Sequence, residues 1–298
     1  MQASFLTDVF LPILTILGML GLGINLTIAD FKQILVQPRA IFVGLLNQLL
    51  LVPLTGILLA LALPLSPELA AGLIIMAAAP GGVGSNVTTY LLGGDSALSV
   101  SLTTVSNLLA FITLPLWTIL GVYLITGSVG VATVSPAQII IPVAVLTLIP
   151  IGLGIALRLR WPQLDQRLRR PLRIGLALLL MMAIVGYLVN ERENLLYYLA
   201  QAGAATVILS LTTILLAFMM TWLFKLDLRT GITLANDSAV QNVPLTLTLS
   251  ATVLANPLMA ITPAAYGLVQ IFFYIIVLVV VFGPWASPLW RQRTIRGV

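Results

Sequence analysis

The sequence contains no cysteine and no histidine, and only 8% of its 298 residues are charged. The absence of cysteine excludes disulfides, thiolate metal sites and cysteine nucleophiles, and the absence of histidine removes the commonest general base. A soluble globular protein carries about a quarter charged residues. Since 60% of the residues are hydrophobic and the mean hydropathy is +1.12, we predict an all-α polytopic membrane protein embedded in a lipid bilayer.

Long hydrophobic runs dominate the chain. A membrane-spanning helix needs roughly 20 mostly apolar residues, and about nine segments meet that requirement. They lie near residues 6–27, 40–63, 67–92, 96–125, 133–157, 174–189, 203–224, 230–254 and 261–285. The sixth segment is short, and we predict that "NLLYYLA" at 194–200 extends it. The N-terminus lacks a basic region, so no cleavable signal peptide is expected.

The basic residues predict the orientation of these segments. If the C-terminus is cytoplasmic, thirteen of the 14 Lys and Arg residues lie inside and only Arg192 lies outside, as the positive-inside rule requires. We therefore predict an outside N-terminus, a cytoplasmic C-terminus and, by default, a bacterial inner membrane. The arginine cluster at 158–173 is interpreted as a topology anchor, and no nucleic-acid partner is predicted.

One acidic residue, Asp237 in "GITLANDSAVQNVPLTL", lies near the middle of a predicted span. A charge there costs about 2.5–3.5 kcal/mol on insertion scales. The sequence offers no Lys or Arg at comparable depth, so Asp237 is either protonated or neutralised by a bound cation. Asn236, Ser238, Gln241 and Asn242 add the oxygen ligands that hard cations prefer. The alternative is a polar contact between helices.

A second polar interruption occurs in "LIIMAAAPGGVGSNVTTYLL", where Pro80 and three glycines break the helical pattern. Unwound backbone at membrane depth is tolerated only where it lines a cavity or is buried in protein. Interrupted segments in two halves of a chain predict a secondary transporter built from inverted repeats. The breaks, near 81–85 and 237–242, fall in oppositely oriented segments. Half-helix N-termini suit an anionic solute there, and freed carbonyls suit cations.

The stretches "LGMLGLGINLTIADFKQILVQPRA", "LLNQLLLVPLTGILLALAL" and "APGGVGSNVTTYLLGGDSALSVSLTTVSNLLAFITLPL", with the cluster ending in "QN", resemble the bile acid:sodium symporter family over nearly the whole chain. The resemblance implies one transmembrane domain over 1–298, with two broken, crossing helices in a core and a panel that moves against it. The core would comprise the segments near 40–125 and 203–285, and the panel those near 6–27 and 133–200. It also implies two sodium ions.

The resemblance also assigns residues to sites. A first sodium site would comprise Ser85, Asn86, Ser99, Thr103 and Asp237. A second would comprise Gln48, Ser238, Val240 and Gln241 together with the Asp237 carboxylate. The residues expected near the substrate are Val83, Gly84, Asn242, Tyr266 and Gln270. The spacing agrees in part, because Ser99 and Thr103 are four residues apart and share one helix face.

This chain departs from the family pattern at several positions. Asp237 stands where the family more often has glutamate, and Val83 stands where many members have threonine. Val269 and Gln270 replace a His-Asn pair of several relatives. The chain also begins at what resembles the second helix of ten-helix relatives, which predicts a nine-helix version.

We therefore expect a sodium-coupled secondary active symporter of an organic anion that works by alternating access. The family includes carriers of bile acid-like steroid acids, keto acids and pantoate-like carboxylates, and the sequence does not choose among these or define an oligomeric state. The alternative is proton coupling, with Asp237 as the proton carrier. An enzyme is not expected, because an intramembrane aspartyl protease needs two facing carboxylates and only one is present. A passive channel is poorly motivated, since crossing broken helices form a site rather than a pore.

Overall fold

The computed structural model describes residues 9–27, 35–126, 136–161 and 195–282, with a few isolated positions between them. Every regular element in these residues is helical, which confirms the all-α class. In chain order the helices are α1 Leu11–Asn25, α2 Pro38–Ala62, α3 Pro67–Ala77, α4 Ser85–Leu92, α5 Ser96–Thr126, α6 Pro136–Arg160, α7 Leu195–Leu223, α8 Leu228–Ala239, α9 Val243–Val253 and α10 Pro257–Phe282.

Five of these helices, namely α2, α5, α6, α7 and α10, are long and apolar enough to cross a membrane. Helices α1, α3 and α9 are apolar but shorter. The structure thus supports an integral membrane protein. The predicted span 174–189, most of the arginine cluster and the C-terminus fall outside the described residues, so the count of nine stays a prediction.

Two predicted spans are broken, each into two helices. The segment predicted at 67–92 consists of α3 and α4 joined by residues 78–84, which we name the first break. The segment predicted at 230–254 consists of α8 and α9 joined by residues 240–242, the second break. Long helices flank each pair, α2 and α5 around the first and α7 and α10 around the second. The order of long helix, broken pair and long helix therefore occurs twice.

A π-helical turn over Asn47–Leu51 interrupts α2 just before Pro53. Proline has no N–H group, so the carbonyl of Leu49, four residues earlier, loses its helical donor. The indole Nε1–H of Trp117 in α5 donates to that carbonyl at 2.9 Å. This bond attaches α2 to α5 and sets the position of the polar residues at the start of the turn.

Helices α1 and α6 pack closely through glycine. At Gly23 and at Gly154, an added Cβ would overlap backbone atoms of the other helix, including a carbonyl. The Arg158 guanidinium donates to the carbonyls of Ile24 and Asn25 at 2.9 and 2.7 Å, which satisfies carbonyls at the C-terminal end of α1. One member of the arginine cluster thus caps a neighbouring helix, a role that the sequence did not indicate.

Three connections predicted to lie on one side of the membrane do meet at one end of the structure. The Gln37 amide Nε2 donates to the Asp95 carboxylate at 3.0 Å. The Arg229 Nε–H donates to the Gly94 carbonyl at 3.3 Å, and the Asp95 N–H donates to the Thr233 hydroxyl at 2.7 Å. These contacts bring the residues before α2 and α5 and the start of α8 to the same end of the structure; the side of the membrane on which they lie stays a prediction.

The predicted role of "NLLYYLA" is wrong for its described residues. Residues 195–200 form part of α7, which runs without a break over Leu195–Leu223, instead of extending the sixth segment. The sequence from Leu195 to Leu223 contains no proline and no charged residue, so nothing in it ends a helix before the turn at Lys225, which has a positive φ of 49°.

Candidate functional site

The two breaks cross each other in the interior. Gly81 and Gln241 form an isolated antiparallel bridge. Beside it, the Gly82 N–H donates to the Val240 carbonyl at 2.7 Å. Backbone N–H and C=O groups that lose their helical hydrogen bonds at one break are therefore paired with the other break. Buried backbone groups need such partners.

Glycine is required at one of the crossing positions. A Cβ at Gly82 would lie 2.7 Å from the Gln241 carbonyl oxygen, whereas a Cβ at Gly81 would meet nothing closer than 3.6 Å.

Asn107 in α5 connects the crossing to that helix by hydrogen bonds. Its Nδ2 donates to the Gly81 carbonyl at 2.8 Å, and its Oδ1 accepts from the Asn242 amide at 3.1 Å.

The five residues of the predicted first sodium site lie together. The Ser99 hydroxyl is 2.7 Å from Asp237 Oδ1 and 2.9 Å from Asn86 Oδ1. The Ser85 and Thr103 hydroxyls are 3.2 Å apart, and Thr103 Oγ1 is 3.4 Å from the same Asn86 oxygen. A serine hydroxyl carries one proton and can serve only one of its two acceptors. The cluster is therefore short of donors and rich in oxygen.

Asp237 is buried without a basic partner among the described residues. Its side chain is 6% exposed, and Oδ2 is buried without a hydrogen-bond partner in the described part of the chain. Within those same ranges no Lys or Arg side chain is buried. An isolated buried carboxylate is costly unless a proton or a cation neutralises it, so the site fits a cation held by oxygen ligands.

The residues predicted for the second sodium site also contact one another or the crossing of the two breaks. The Gln48 amide Nε2 donates to Gln241 Oε1 at 2.9 Å, and the Gln241 Nε2 donates to the Ser238 carbonyl at 2.9 Å. The Gln48 Oε1 is buried and has no partner in the described ranges. The Val240 carbonyl accepts the Gly82 N–H in the crossing. These predicted ligands are thus brought together, with one amide oxygen left over.

Two of the residues predicted near the substrate are engaged within the protein. The Asn242 side chain accepts the Leu245 N–H at 3.3 Å, capping α9, while its amide donates to Asn107. Tyr266 is 0% exposed, and its hydroxyl donates to the Ala239 carbonyl at 2.9 Å. Both side chains support the unwound segment in this structure.

The other three predicted substrate residues lie around the start of α4. The Gln270 Oε1 accepts the Gln241 N–H at 3.0 Å, and its Nε2 donates to the Tyr274 hydroxyl at 3.1 Å. That hydroxyl lies over Gly84, where an added Cβ would overlap it. Val83 is half-buried against apolar residues of α1 and α6, so it lies between the predicted core and panel.

Several residues of the site were not singled out from the sequence. Asn47 precedes Gln48, and its Nδ2 donates to the Ser238 hydroxyl at 2.6 Å. The Thr88 hydroxyl donates to the Asn236 Oδ1 at 2.8 Å. The sequence could have indicated Asn47, because it is a polar residue beside a predicted ligand in the apolar stretch "LLNQLLL". No sequence pattern indicated Tyr274, whose contacts with Gln270 and Gly84 are seen only in the structure.

Comparison with known proteins decides the family. Residues 12–198 match the family described as the Sodium Bile acid symporter family. The chain belongs to this family. The resemblance predicted from the sequence is thereby confirmed, and because the family consists of transporters, the protein is a transporter and not an enzyme.

Relatives from bacteria, plants and mammals share this sequence pattern. The chain is 31% identical over 266 residues to the "Uncharacterized sodium-dependent transporter YocS" of Bacillus subtilis, covering 89% of this chain and 79% of that protein. It is 29% identical over 260 residues to the "Probable sodium/metabolite cotransporter BASS1, chloroplastic" of Arabidopsis thaliana, covering 84% and 62%. It is 35% identical over 184 residues to the "Ileal sodium/bile acid cotransporter" of Oryctolagus cuniculus, covering 61% and 52%. These names support sodium-coupled symport as the class of activity.

Proposed function

We propose that the protein is a sodium-coupled secondary active symporter of a small organic anion that works by alternating access. The observation that carries the proposal is a pair of buried acceptor oxygens, Asp237 Oδ2 and Gln48 Oε1, which have no hydrogen-bond partner within the described ranges and lie beside the crossing of the two breaks. Native structures leave few buried polar atoms without a partner, and an ion is one explanation for such atoms. A monovalent hard cation would give both oxygens the positively charged partner that the described residues do not provide.

The two oxygen sets that share Asp237 suit two sodium ions. The first ion would bind among Ser85, Asn86, Ser99, Thr103 and Asp237. The second would bind among Gln48, Ser238, Val240 and Gln241. Carboxylate, amide, hydroxyl and carbonyl oxygens are the ligands that hard cations take, and unwound helices present such groups in transporters of this kind.

The anion would bind where α4 and α9 begin. Helix N-termini carry partial positive charge and exposed N–H donors, which stabilise carboxylates. Val83 and Gly84 precede α4, and Asn242 caps α9. Tyr266 and Gln270 of α10 bond the backbone of Ala239 and Gln241, and Val83 packs against α1 and α6. We propose bile acid-like, keto acid or pantoate-like carboxylates as the substrate class.

Sodium entry would drive uptake. A tenfold sodium gradient supplies about 1.4 kcal/mol per ion, and 100 mV supplies about 2.3 kcal/mol per net charge. Two ions moving with one monoanion would release about 5 kcal/mol, which corresponds to accumulation of several thousand-fold. The proposal places the protein in a bacterial inner membrane, N-terminus outside and C-terminus cytoplasmic, with the panel moving against the core.

The test is the melting temperature of the purified full chain in sodium and in potassium at equal ionic strength, for wild type and Asp237→Asn. A sodium concentration of about 100 Kd should add about 2.7 kcal/mol of stability to the wild type and little to the variant. Asp227→Asn is the matched control, since Asp227 is an exposed cap of α8 and asparagine caps equally well.

Uptake into proteoliposomes completes the test. Accumulation of a carboxylate that requires an inward sodium gradient supports the proposal. Equal melting temperatures in both ions, with uptake that follows a pH gradient and ignores sodium, would instead favour proton coupling through Asp237.

A further inference from the structure

Two adjacent amides of α2 reach into one turn of the second broken helix. Asn47 Nδ2 donates to the Ser238 hydroxyl at 2.6 Å, and Gln48 Nε2 donates to Gln241 Oε1 at 2.9 Å. The Gln241 amide in turn donates to the Ser238 carbonyl at 2.9 Å. The four residues thus close a ring between the π turn of α2 and the end of α8.

Each of the two side-chain amides of the π turn has a carbonyl oxygen without a hydrogen-bond partner among the described residues. The Asn47 side chain is 0% exposed, and Oδ1 of Asn47 and Oε1 of Gln48 are buried without a partner in the described part of the chain. A buried acceptor left without a donor costs about 1–3 kcal/mol. The next residue before Ser238 is Asp237, whose Oδ2 is the third such oxygen. Of the six such side-chain atoms in the described residues, three lie on these two facing turns, where one bound cation would compensate them.

We infer that Asn47 supplies a further oxygen ligand to the sodium ion that binds beside Gln48, through its Oδ1. The inference rests on the proposed sodium coupling and adds a residue to it. The bond from Nδ2 to Ser238 holds the amide plane in one orientation and so directs Oδ1 away from the hydroxyl. Ligands held by a second set of hydrogen bonds bind metal ions more tightly than free ones.

A simple contact between helices accounts for the bond made by Asn47 Nδ2 but not for the buried Asn47 Oδ1. Polar side chains do join membrane helices, and the bond between Asn47 and Ser238 is such a contact. It uses the N–H group and gives no reason for a second polar atom buried on the same side chain. A helix contact predicts lower stability at every sodium concentration, whereas a ligand predicts weaker sodium binding.

The experiment measures the sodium concentration that gives half-maximal thermal stabilisation of the full chain, with potassium keeping the ionic strength constant. Asn47→Leu should raise this concentration at least about tenfold, the smallest loss typical of a disturbed metal site. Asn47→Asp keeps an oxygen in place and adds a negative charge, so it should lower the concentration. The matched control is Asn25→Leu, because Asn25 Oδ1 is also buried without a partner in the described residues but lies at the end of α1.

The outcomes separate this inference from the proposed function. A wild type that ignores sodium overturns both. A wild type that responds, with Asn47→Leu responding at the same concentration and only melting lower, overturns the ligand role and leaves the symporter. If Asn47→Leu does not fold, Asn47→Asp decides: an unchanged or raised sodium requirement contradicts the inference, and a lowered one supports it.

Discussion

The Gly82 N–H donates to the Val240 carbonyl at 2.7 Å, so the two breaks hold each other in place. Each break lies beside part of the predicted ion sites: Ser85 follows the first, and Asp237 precedes the second. A shift of one break relative to the other would therefore move predicted ligands of both proposed ions at once. This coupling gives a physical route by which sodium binding could set the geometry of the two half-helix N-termini.

The crossing itself can be tested with two neighbouring glycines. Gly82→Ala would place a Cβ 2.7 Å from the Gln241 carbonyl oxygen and push the breaks apart, whereas Gly81→Ala meets nothing closer than 3.6 Å. We expect Gly82→Ala to lose about 1–3 kcal/mol of stability, as overpacked sites do, and to abolish sodium-dependent uptake. Gly81→Ala should retain both, as measured by thermal melting and proteoliposome uptake. Equal behaviour of the two variants would contradict the close crossing.

The first ion site can be tested with two neighbouring threonines. Thr103 Oγ1 lies 3.2 Å from the Ser85 hydroxyl and 3.4 Å from Asn86 Oδ1, while Thr104 Oγ1 donates to the Val100 carbonyl of its own helix at 2.7 Å. Both side chains are buried. Thr103→Val should raise the sodium concentration for half-maximal stabilisation several-fold, since it removes one oxygen of the site.

Thr104→Val is the control for this change, because it removes a hydroxyl that donates to a carbonyl of its own helix. We expect its sodium requirement to match the wild type. A Thr103→Val protein with an unchanged sodium requirement would remove Thr103 from the set of ligands.

The space above Gly84 can be tested with a double-mutant cycle. A Cβ at residue 84 would overlap the Tyr274 hydroxyl, so Gly84→Ala should impair folding and uptake. Tyr274→Phe removes that hydroxyl and, with it, the contact to the Gln270 amide. In the double variant the nearest atom to the new Cβ is the ring Cζ at 3.2 Å, so the severe overlap is relieved. The combined loss should therefore be smaller than the sum of the single losses by about 0.5–3 kcal/mol. Strict additivity in thermal melting would show that the two residues do not meet.

The sequence predicted the location of the breaks because Pro80 and the glycines after it stop a helix by local chemistry. It also predicted Asp237 as a candidate site residue, since this is a single acidic residue within an otherwise apolar span. The bonds of Asn242 could not be predicted in the same way. Its position suggested a side chain facing substrate, but its amide donates to Asn107, which is 135 residues away in sequence. Pairings of that kind depend on how helices cross, and no local pattern encodes them.

The assignment of "NLLYYLA" shows a second limit of prediction from sequence. Charges at 191–193 suggested a loop, and the short apolar run before them suggested that "NLLYYLA" belonged to the preceding segment. Hydrophobicity alone cannot assign an apolar run to the helix on its left or on its right. The structure continues the helix to Leu223 because the residues from Leu195 to Leu223 contain no proline and no charged side chain.

The predicted division into core and panel can be tested by a cross-link. Thr15 in α1 and Thr248 in α9 have their hydroxyl oxygens 2.8 Å apart, and both side chains are buried. The chain has no cysteine, so Thr15→Cys with Thr248→Cys would create one thiol pair and no other. Hydroxyl oxygens this close indicate that sulfur atoms at the same positions can reach the 2.05 Å of a disulfide with small rotations.

Oxidation of this double variant should abolish uptake, because a panel helix that is joined to the core cannot move against it, and a reductant should restore uptake. The sodium-dependent rise in melting temperature should persist in the oxidised protein, since neither threonine belongs to the predicted ion sites; this readout separates a locked transporter from a misfolded one. The single-cysteine variants, which cannot form the bond within one chain, should transport at the same rate with and without oxidant. Wild-type uptake by the fully cross-linked protein would show that α1 and α9 move together, and would place α1 with the core instead of the panel.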